Sequence, residues 1–391
     1  MFQLIKTDKW DKCFGRLFTA TYLAYVSLIM LVDTALMDIV VIGKGITYSI
    51  RCTFVLVFLV SLYNLFRGKY TLKEILIGFI IFVPVIISMF VSKSAAAFMA
   101  FVYIYAAKGI NVEKIVKYTL ITITITYAIV VLSRVFGITD EHIYHSVKHG
   151  LMRDRYSFGF NYTCVGTIYY LFMTIFYIYI RKDKFNYIDA IFIMVVNAVL
   201  YMLTFTLNNF VFVLLAILLA FYVKYCRVKT LNEVFSYLTI LSPVIGTIII
   251  YLLTKLYASG NKLGIIINRF TSGRLSLTNN AINNYGIHLF GSSVEFIGGP
   301  ATGTAEYNYV DSFYMQYLIQ FGIIVFIIII AVLVYLAYKA YKNNSKWLLF
   351  SFFIINYHAV FDDKLFGITL NPFLLLFLVY LSIIVNEKSE A

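Results

Sequence analysis

Two pairs of closely spaced arginines occur in a chain that is otherwise rich in apolar residues. Arg269 and Arg274 lie five residues apart in "NRFTSGR", and Arg153 and Arg155 lie two apart in "MRDRY". A guanidinium group is a planar fork that can grip a phosphate or carboxylate through two hydrogen bonds. Both pairs could therefore bind one diphosphate, or they could simply be solvated or face lipid headgroups.

Carboxylates and a histidine lie near the predicted boundaries between loops and apolar segments. Asp311 directly precedes an apolar segment, so its carboxylate could cap a helix, act as a general base or orient a sugar hydroxyl. His288, in "IHLFGSS", is either an ordinary loop residue or a donor to substrate. Asp362 and Asp363 are adjacent acids in a turn. Solvation is the simplest interpretation of such acids, but Asp362 could instead contact substrate.

The spacing of His142, His145 and His149 would place all three side chains on one face of a helix. Such a face could bind a metal, but no carboxylate or cysteine cluster accompanies it, which favours a helix at the membrane interface. His149 is the candidate for substrate binding because it is nearest to Arg153 in sequence. Arg51 lies one turn into a predicted helix, where an unpaired charge is costly, so we expect it to face a cavity or a partner.

The composition is that of a membrane protein. Of the 391 residues, 61% are hydrophobic and 13% are charged, whereas about 25% of a soluble domain is charged. Apolar runs of roughly 20 residues, long enough to cross the hydrocarbon core of a bilayer, recur from end to end. A net charge of +13 would suggest nucleic acid as the partner of a soluble protein. Here membrane topology explains the lysines better, so we expect no nucleic-acid partner.

We predict an all-α, polytopic membrane protein with one transmembrane domain of about twelve spans. The spans cover residues 17–36, 46–66, 71–91, 94–107, 115–136, 162–180, 187–205, 209–223, 234–256, 311–338, 347–361 and 366–385. The fourth and eleventh are short enough to be half-spans. The four cysteines fit no metal motif, so we expect neither a disulfide framework nor a metal site. No cofactor is expected either.

The lysines indicate which ends of the spans face the cytoplasm. With both termini inside, 16 of the 22 lysines fall in inner segments, in agreement with the positive-inside rule. No small-residue cleavage site follows the basic start, so we expect the first span to remain as an anchor. Five of the ten arginines instead fall outside or at the outer edge, which indicates that the outer face requires guanidinium groups.

Two predicted outer loops are long, and they carry both arginine pairs. They cover residues 137–161 and 257–310. Loops of this length between closely connected helices are usually functional or disordered. The second contains apolar runs such as "LGIIINRF" and "YGIHLFG", which favour short helices at the membrane surface.

Several short motifs occur in order along the chain: "RYSFGFNYTCVG", "RFTSGR", "HLFGSS", "VDSFYMQYLIQFG" and "FDDKLFGITLNPFLLLFL". Together with the hydropathy plan, they resemble the Wzy-type polysaccharide polymerases, in the group that includes the O-antigen ligases. The resemblance is sharpest over residues 268–322, where that family has an Arg-rich loop start, an lfGsG-like element and an [HD]NxYL segment leading to a glycine within the next span.

The chain also departs from the family pattern. Ligases commonly have histidine at the position of Asp311, and Ser312 stands where the pattern has asparagine. The hPN element is replaced by "FNYT" around Asn161, and an SRT-like turn is replaced by "TLNNF" at 206–210. The acid at position 311 favours polymerase over ligase.

The resemblance implies a metal-independent glycosyltransferase in the bacterial cytoplasmic membrane. Its donor would be a growing glycan on polyprenyl diphosphate, transferred to the next lipid-linked oligosaccharide unit of a capsule, exopolysaccharide or O-antigen. External arginines would bind the diphosphate, and Asp311 or a histidine would deprotonate the acceptor. A flippase and a chain-length regulator would be its protein partners.

Three other functions remain open from the sequence. A flippase or transporter of the same lipid-linked sugars would need charged residues near the middle of the spans, but the spans are almost free of charge. A glycan ligase uses the same donor chemistry and is not excluded. A glycosyltransferase using lipid-phosphate sugars would need an acidic motif, for which Asp33 and Asp38 are the only candidates, five residues apart.

Overall fold

The structure is a computed structural model that describes residues 9–148, 151–298 and 307–388. The described chain is mainly helical, with a single β-hairpin. Its α-helices are α1 (Lys9–Val32), α2 (Val40–Phe66), α3 (Leu72–Ser92), α4 (Ala96–Ala106), α5 (Val112–Val135), α6 (Val165–Arg181), α7 (Tyr187–Thr204), α8 (Leu207–Tyr225), α9 (Lys229–Ala258), α10 (Lys262–Phe270), α11 (Arg274–Tyr285), α12 (Phe313–Lys342), α13 (Lys346–His358) and α14 (Leu376–Lys388). Short 3-10 turns cover Ala35–Asp38, Lys182–Lys184 and Pro372–Leu375.

A helix overlaps each of the twelve predicted spans. Eight of these helices are long and apolar enough to cross a membrane: α1, α2, α3, α5, α7, α8, α9 and α12. The remaining four, α4, α6, α13 and α14, are shorter than those eight, so the count of twelve crossings and the orientation stay predictions. The eight long apolar helices indicate that the chain is a multi-pass membrane protein. Helices α10 and α11 lie within the loop at 257–310.

The helix ends follow from local side-chain chemistry. At the start of α3, Thr71 and Glu74 form a capping box, in which each side chain bonds the backbone N–H of the other residue. Glu74 is buried, and its carboxylate also pairs with Lys108 and accepts a hydrogen bond from Ser382 Oγ at 2.8 Å. One capping acid thus connects α3 to the segment after α4 and to α14.

The segment predicted to be an interfacial helix with three histidines is a β-hairpin instead. Strand β1 (Ile143–Lys148) pairs antiparallel with β2 (Leu151–Tyr156), with Ser146 opposite Arg153. The prediction of a helix was wrong because the β-branched and aromatic residues of the segment favour a pleated strand, and histidine spacing carries no preference for helix. His145 Nδ1 lies 2.7 Å from Asp154 Oδ1 on the opposite strand. His149 lies outside the described residues.

Helix α12 packs against α3, α9, α11, α13 and α14. It is broken at Gly322, whose φ is +83°. The amides of Ile323 and Ile324 donate to the carbonyls of His288 and Leu289, at 3.0 and 3.2 Å. A backbone break inside a membrane protein requires such replacement partners. Residues 286–292, here called the glycine loop, supply them.

The glycine loop and the break in α12 touch backbone to backbone. A Cβ added to Gly291 would lie 2.0 Å from the carbonyl oxygen of Gln320, and one added to Gly322 would lie 2.2 Å from the amide nitrogen of Gly291. Both glycines have a positive φ, so each position requires glycine for conformation as well as for space. This contact fixes the break in α12, which lies eleven residues after Asp311 in the chain.

Candidate functional site

Arg274 and Asp311 form a partly buried ion pair at one end of α12. Arg274 Nε lies 3.4 Å from Asp311 Oδ2, and the two side chains are 24% and 25% exposed. Within the described residues Arg274 Nε makes no hydrogen bond, so the pairing is electrostatic, and the buried Ser312 Oγ also lacks a partner. Both are buried polar atoms whose hydrogen-bonding capacity is unused among the described residues.

The sequence between α10 and α11 explains how Arg274 is held. Asn268, in the last turns of α10, accepts hydrogen bonds through Oδ1 from the amides of Leu275 and Ser276, at 3.0 and 3.1 Å. These amides would otherwise be unpaired in the first turn of α11. Gly273, with a φ of +85°, allows the reversal between the two helices. The amide side chain of Asn268 thereby fixes Arg274 at the first position of α11.

Asp311 does not cap α12. The amide of Phe313 donates instead to the carbonyls of Ala359 and Asp362, at 3.1 and 2.9 Å, and the N-cap residue Ser312 makes no side-chain cap bond. The carboxylate is thus left to face Arg274. Burial raises the pKa of Asp311 above its usual value, and Arg274 opposes that rise.

Asp362 is buried, contrary to the simple interpretation of a solvated acid in a turn. Its Oδ1 accepts a hydrogen bond from the amide of Lys364 at 3.0 Å and lies 3.9 Å from His358 Nδ1. Burial, followed by the neighbouring charge of Asp363, raises the pKa of Asp362 to about 8, whereas Arg274 is among the groups that lower it. Asp362 therefore belongs to the electrostatic surroundings of Arg274.

Lys364 connects a second set of charged groups to this site. Its Nζ lies 3.2 Å from Asp363 Oδ2, which also accepts a hydrogen bond from the Tyr309 hydroxyl at 2.6 Å. Asp363 is the main reason why the pKa of Lys364 lies well above its usual value. Burial raises the pKa of Asp33, and Lys364 lowers it. The Tyr169 hydroxyl donates to Asp33 Oδ2 at 3.0 Å.

The sequence did not single out Lys364 or Tyr309, and it offered Asp33 only as part of an acidic motif. One signal was present for Lys364: it is one of the six lysines that the predicted topology leaves outside the inner segments. No comparable sequence signal identifies Tyr309 among the 33 tyrosines of the chain.

The two arginines of the hairpin have other immediate neighbours. Arg155 Nε donates to the carbonyl of Thr204 at 2.8 Å, and its guanidinium lies 5.8 Å from the ring centre of Tyr162. The guanidinium of Arg153 lies 5.0 Å from the ring centre of Phe205. Both side chains thus pack near the end of α7, and Arg155 connects that region to Tyr162.

Tyr307 relates the hairpin to the ion pair. Burial raises the pKa of the Tyr307 hydroxyl, and smaller effects come from Asp311 and Tyr162, which raise it, and from Arg274, which lowers it. Tyr162, which contacts Arg155, and the Arg274–Asp311 pair therefore influence the same phenol.

The remaining candidates lie elsewhere or are exposed. Arg269 is exposed at the end of α10. His288 is exposed, and its Nε2 lies 3.0 Å from the carbonyl of Tyr285. Arg51 is the twelfth residue of α2, not one turn into it as expected, because the helix begins at Val40. Helix α2 packs on α1 and α4, whereas α11 packs on α9, α10 and α12, so the structure does not bring Arg51 to Arg274.

The site thus contains one cation with unused donors, one carboxylate with a raised pKa and a buried acid beside them, at the end of an apolar bundle. Such a set can bind an anionic group and accept a proton next to it. No family model matches the chain, and no curated protein or solved structure matches it significantly.

Proposed function

We propose that the protein is a Wzy-type polysaccharide polymerase of a bacterial cytoplasmic membrane. It joins oligosaccharide repeat units that are carried on polyprenyl diphosphate, at the outer face of the membrane. The observation that carries the proposal is the Arg274–Asp311 pair, which combines an anion-binding group and a proton acceptor 3.4 Å apart. The ordered motifs between residues 268 and 322 support it.

Arg274 would bind the diphosphate of the donor. Its Nε faces Asp311 without a hydrogen bond, so the guanidinium can present its fork to phosphate oxygens. Partial burial strengthens this interaction, because it acts in a medium of lower dielectric constant than water. The charge that develops on the leaving diphosphate is therefore stabilised where it forms.

Asp311 would act as the general base. The hydroxyl oxygen of the acceptor sugar forms a bond to the anomeric carbon of the donor, as the bond from that carbon to the diphosphate oxygen breaks. The hydroxyl proton passes to Asp311, and the electron pair of the broken bond leaves with the diphosphate. The raised pKa of Asp311 makes it a better proton acceptor than an exposed carboxylate.

The other predicted residues have subordinate roles in this proposal. Arg155, which lies beside Tyr162, and Arg153 would border the sugar or the second phosphate of the lipid-linked unit. Arg269 would attract the anionic substrate from the exposed end of α10. Asp362 and Lys364 would set the local charge around Arg274 and the phenol of Tyr309. His288 would hold the glycine loop instead of donating a proton.

The decisive experiment incubates the purified protein with polyprenyl-diphosphate-linked repeat units and EDTA. A polymerase gives a ladder of lengthened glycans, a ligase gives one transfer to a different acceptor, and a flippase leaves the glycan length unchanged. An Asp311→Asn preparation is the control, because it should retain the fold and lose the ladder. Unchanged glycan length with the wild-type protein would refute the polymerase proposal.

A further inference from the structure

A shallow groove lies on α2, away from the Arg274–Asp311 pair. It has a volume of about 410 Å³ and is lined by the side of α2 and the turn before it, with Met37, Val40, Gly43, Lys44, Thr47, Tyr48 and Arg51. Lys44, Tyr48 and Arg51 are spaced by four and three residues, so they share one face of the helix. All three side chains are exposed.

The charged residues that line this groove all carry a positive charge. Its lining includes two cationic residues and, among the described residues, no carboxylate. Asp38, the nearest acid in sequence, is 69% exposed and lies 3.5 Å from His142 Nε2. The guanidinium of Arg51 lies 5.7 Å from the ring centre of Tyr48, which orients Arg51 without neutralising it. The groove therefore has charge complementarity to an anion.

The length of α2 indicates the level in the bilayer at which Lys44 and Arg51 would meet an anion. Helix α2 has 27 residues and is therefore about 40 Å long, about 10 Å more than the hydrocarbon core. If the excess is shared between both ends, Lys44 lies near the core boundary and Arg51 about 10 Å deeper. The long side chain of Arg51 then reaches up toward the headgroups, on the same side as Lys44.

The same face of α2 becomes apolar below the two cations. Val55 and Leu59 continue it at helical spacing, and their side chains are 55% and 49% exposed. The face is thus cationic at the headgroup level and apolar beneath it. A lipid has this same arrangement of a polar head and acyl chains, whereas a free phosphate has only the charge.

We propose that this groove binds the phosphate of an anionic membrane lipid, with Lys44 and Arg51 on the headgroup and the acyl chains along Val55 and Leu59. The assignment is independent of the polymerase proposal, because it uses a different helix and different residues. The assignment implies that a lipid is bound beside α2, at the level where Lys44 and Arg51 place positive charge in the bilayer.

The test is native mass spectrometry of the full-length protein. The detergent-solubilised protein is mixed with equal amounts of phosphatidylglycerol and phosphatidylcholine, and the lipid that stays bound after the detergent is removed is measured. We expect the wild-type protein to retain phosphatidylglycerol at least about tenfold better, a ratio that corresponds to roughly 1.4 kcal/mol. The double variant Lys44→Gln/Arg51→Gln should retain both lipids equally, whereas Arg51→Lys should keep most of the preference.

Lys255→Gln is the matched control. Lys255 is also exposed on a membrane helix, and its Nζ also lies 5.7 Å from the ring centre of a tyrosine, Tyr251, but it does not line the groove. This variant should keep the wild-type preference. If the double variant does not purify as a monodisperse protein, Lys44→Gln alone should lower the preference by at least about threefold.

Three outcomes would overturn the assignment. One is a wild-type protein that retains both lipids equally. The second is a Lys44 or double variant that keeps the full preference. The third is displacement of bound phosphatidylglycerol by inorganic pyrophosphate as effectively as by added phosphatidylglycerol. The apolar part of the face would then contribute nothing to lipid binding.

Discussion

Replacing Arg274 with lysine keeps a positive charge beside Asp311 but removes the planar fork. In the structure, Arg274 Nε faces Asp311 at 3.4 Å, which leaves the terminal nitrogens for an anion. Lysine has one nitrogen, which would have to serve Asp311 and the anion together. The variant therefore loses one charge-assisted hydrogen bond, worth about 2–3 kcal/mol, to the leaving diphosphate. Arg274→Lys should slow chain growth about 30- to 150-fold.

The assay follows the glycan ladder over time with purified protein and lipid-linked repeat units. Arg134→Lys is the matched control, because Arg134 also pairs with an acid, Glu141, with Nε and Oε2 2.9 Å apart at the end of α5. Arg134→Lys should extend glycans within about threefold of the wild-type rate. Arg274→Lys protein that is correctly inserted and equally fast would refute the role given to Arg274.

A charge exchange separates catalysis from structure. The double variant Arg274→Asp/Asp311→Arg restores an ion pair between α11 and the segment before α12, so the melting temperature should stay near that of the wild type. Chain growth should remain abolished, because the anion-binding group and the base have changed places. Wild-type chain growth in the exchanged protein would show that the pair is purely structural.

Asp311→Asn should abolish the ladder, and wild-type chain growth should rise with pH through the pKa of Asp311, which burial has raised; a pH–rate profile that is flat from pH 4 to 8 would contradict its role as a base. The pKa of Asp362 is raised from 3.8 to about 8 in the folded state, so its stabilising contribution is complete below pH 4 and is lost as pH rises to 8, at up to about 1.4 kcal/mol per pH unit. The melting temperature should fall over this range, and Asp362→Asn should flatten the fall; an equal fall in that variant would contradict the assignment. Gly322→Ala and Gly291→Ala should lower the melting temperature by more than Gly68→Ala, because Gly68 shares the positive φ but has open space around it; equal effects of all three would show that the backbone contact is unimportant.

The positions of the helices could be predicted from hydropathy because lipid imposes one strong rule: backbone polar groups must be paired within the segment. Where that rule is satisfied in another way, the prediction was less accurate. Gly322 interrupts an apolar run that looks continuous in sequence, since the partners of the broken turn come from residues 288 and 289. The start of α2 was placed too late because Val40 follows a short turn with little polarity.

The site could be predicted only in part. Arg274 and Asp311 are rare charged residues in an apolar chain, so sequence identified them, but their pairing depends on the packing of α11 on α12. The burial of Asp362 and its raised pKa depend on the fold of the turn after α13. The strand that contains His145 could not be predicted from the helical spacing of the histidines, because the β-branched and aromatic residues around them favour a strand.

The contact between the glycine loop and α12 bears on how the chain is inserted. The amides of Ile323 and Ile324 have their hydrogen-bond partners in a segment that precedes α12 in the chain. These two amides therefore stay unpaired until that segment packs against the break in α12. The glycine loop and α12 must therefore fold together while the protein is inserted into the membrane. A change in loop length between residues 286 and 292 would therefore disturb the folding of α12 around Gly322.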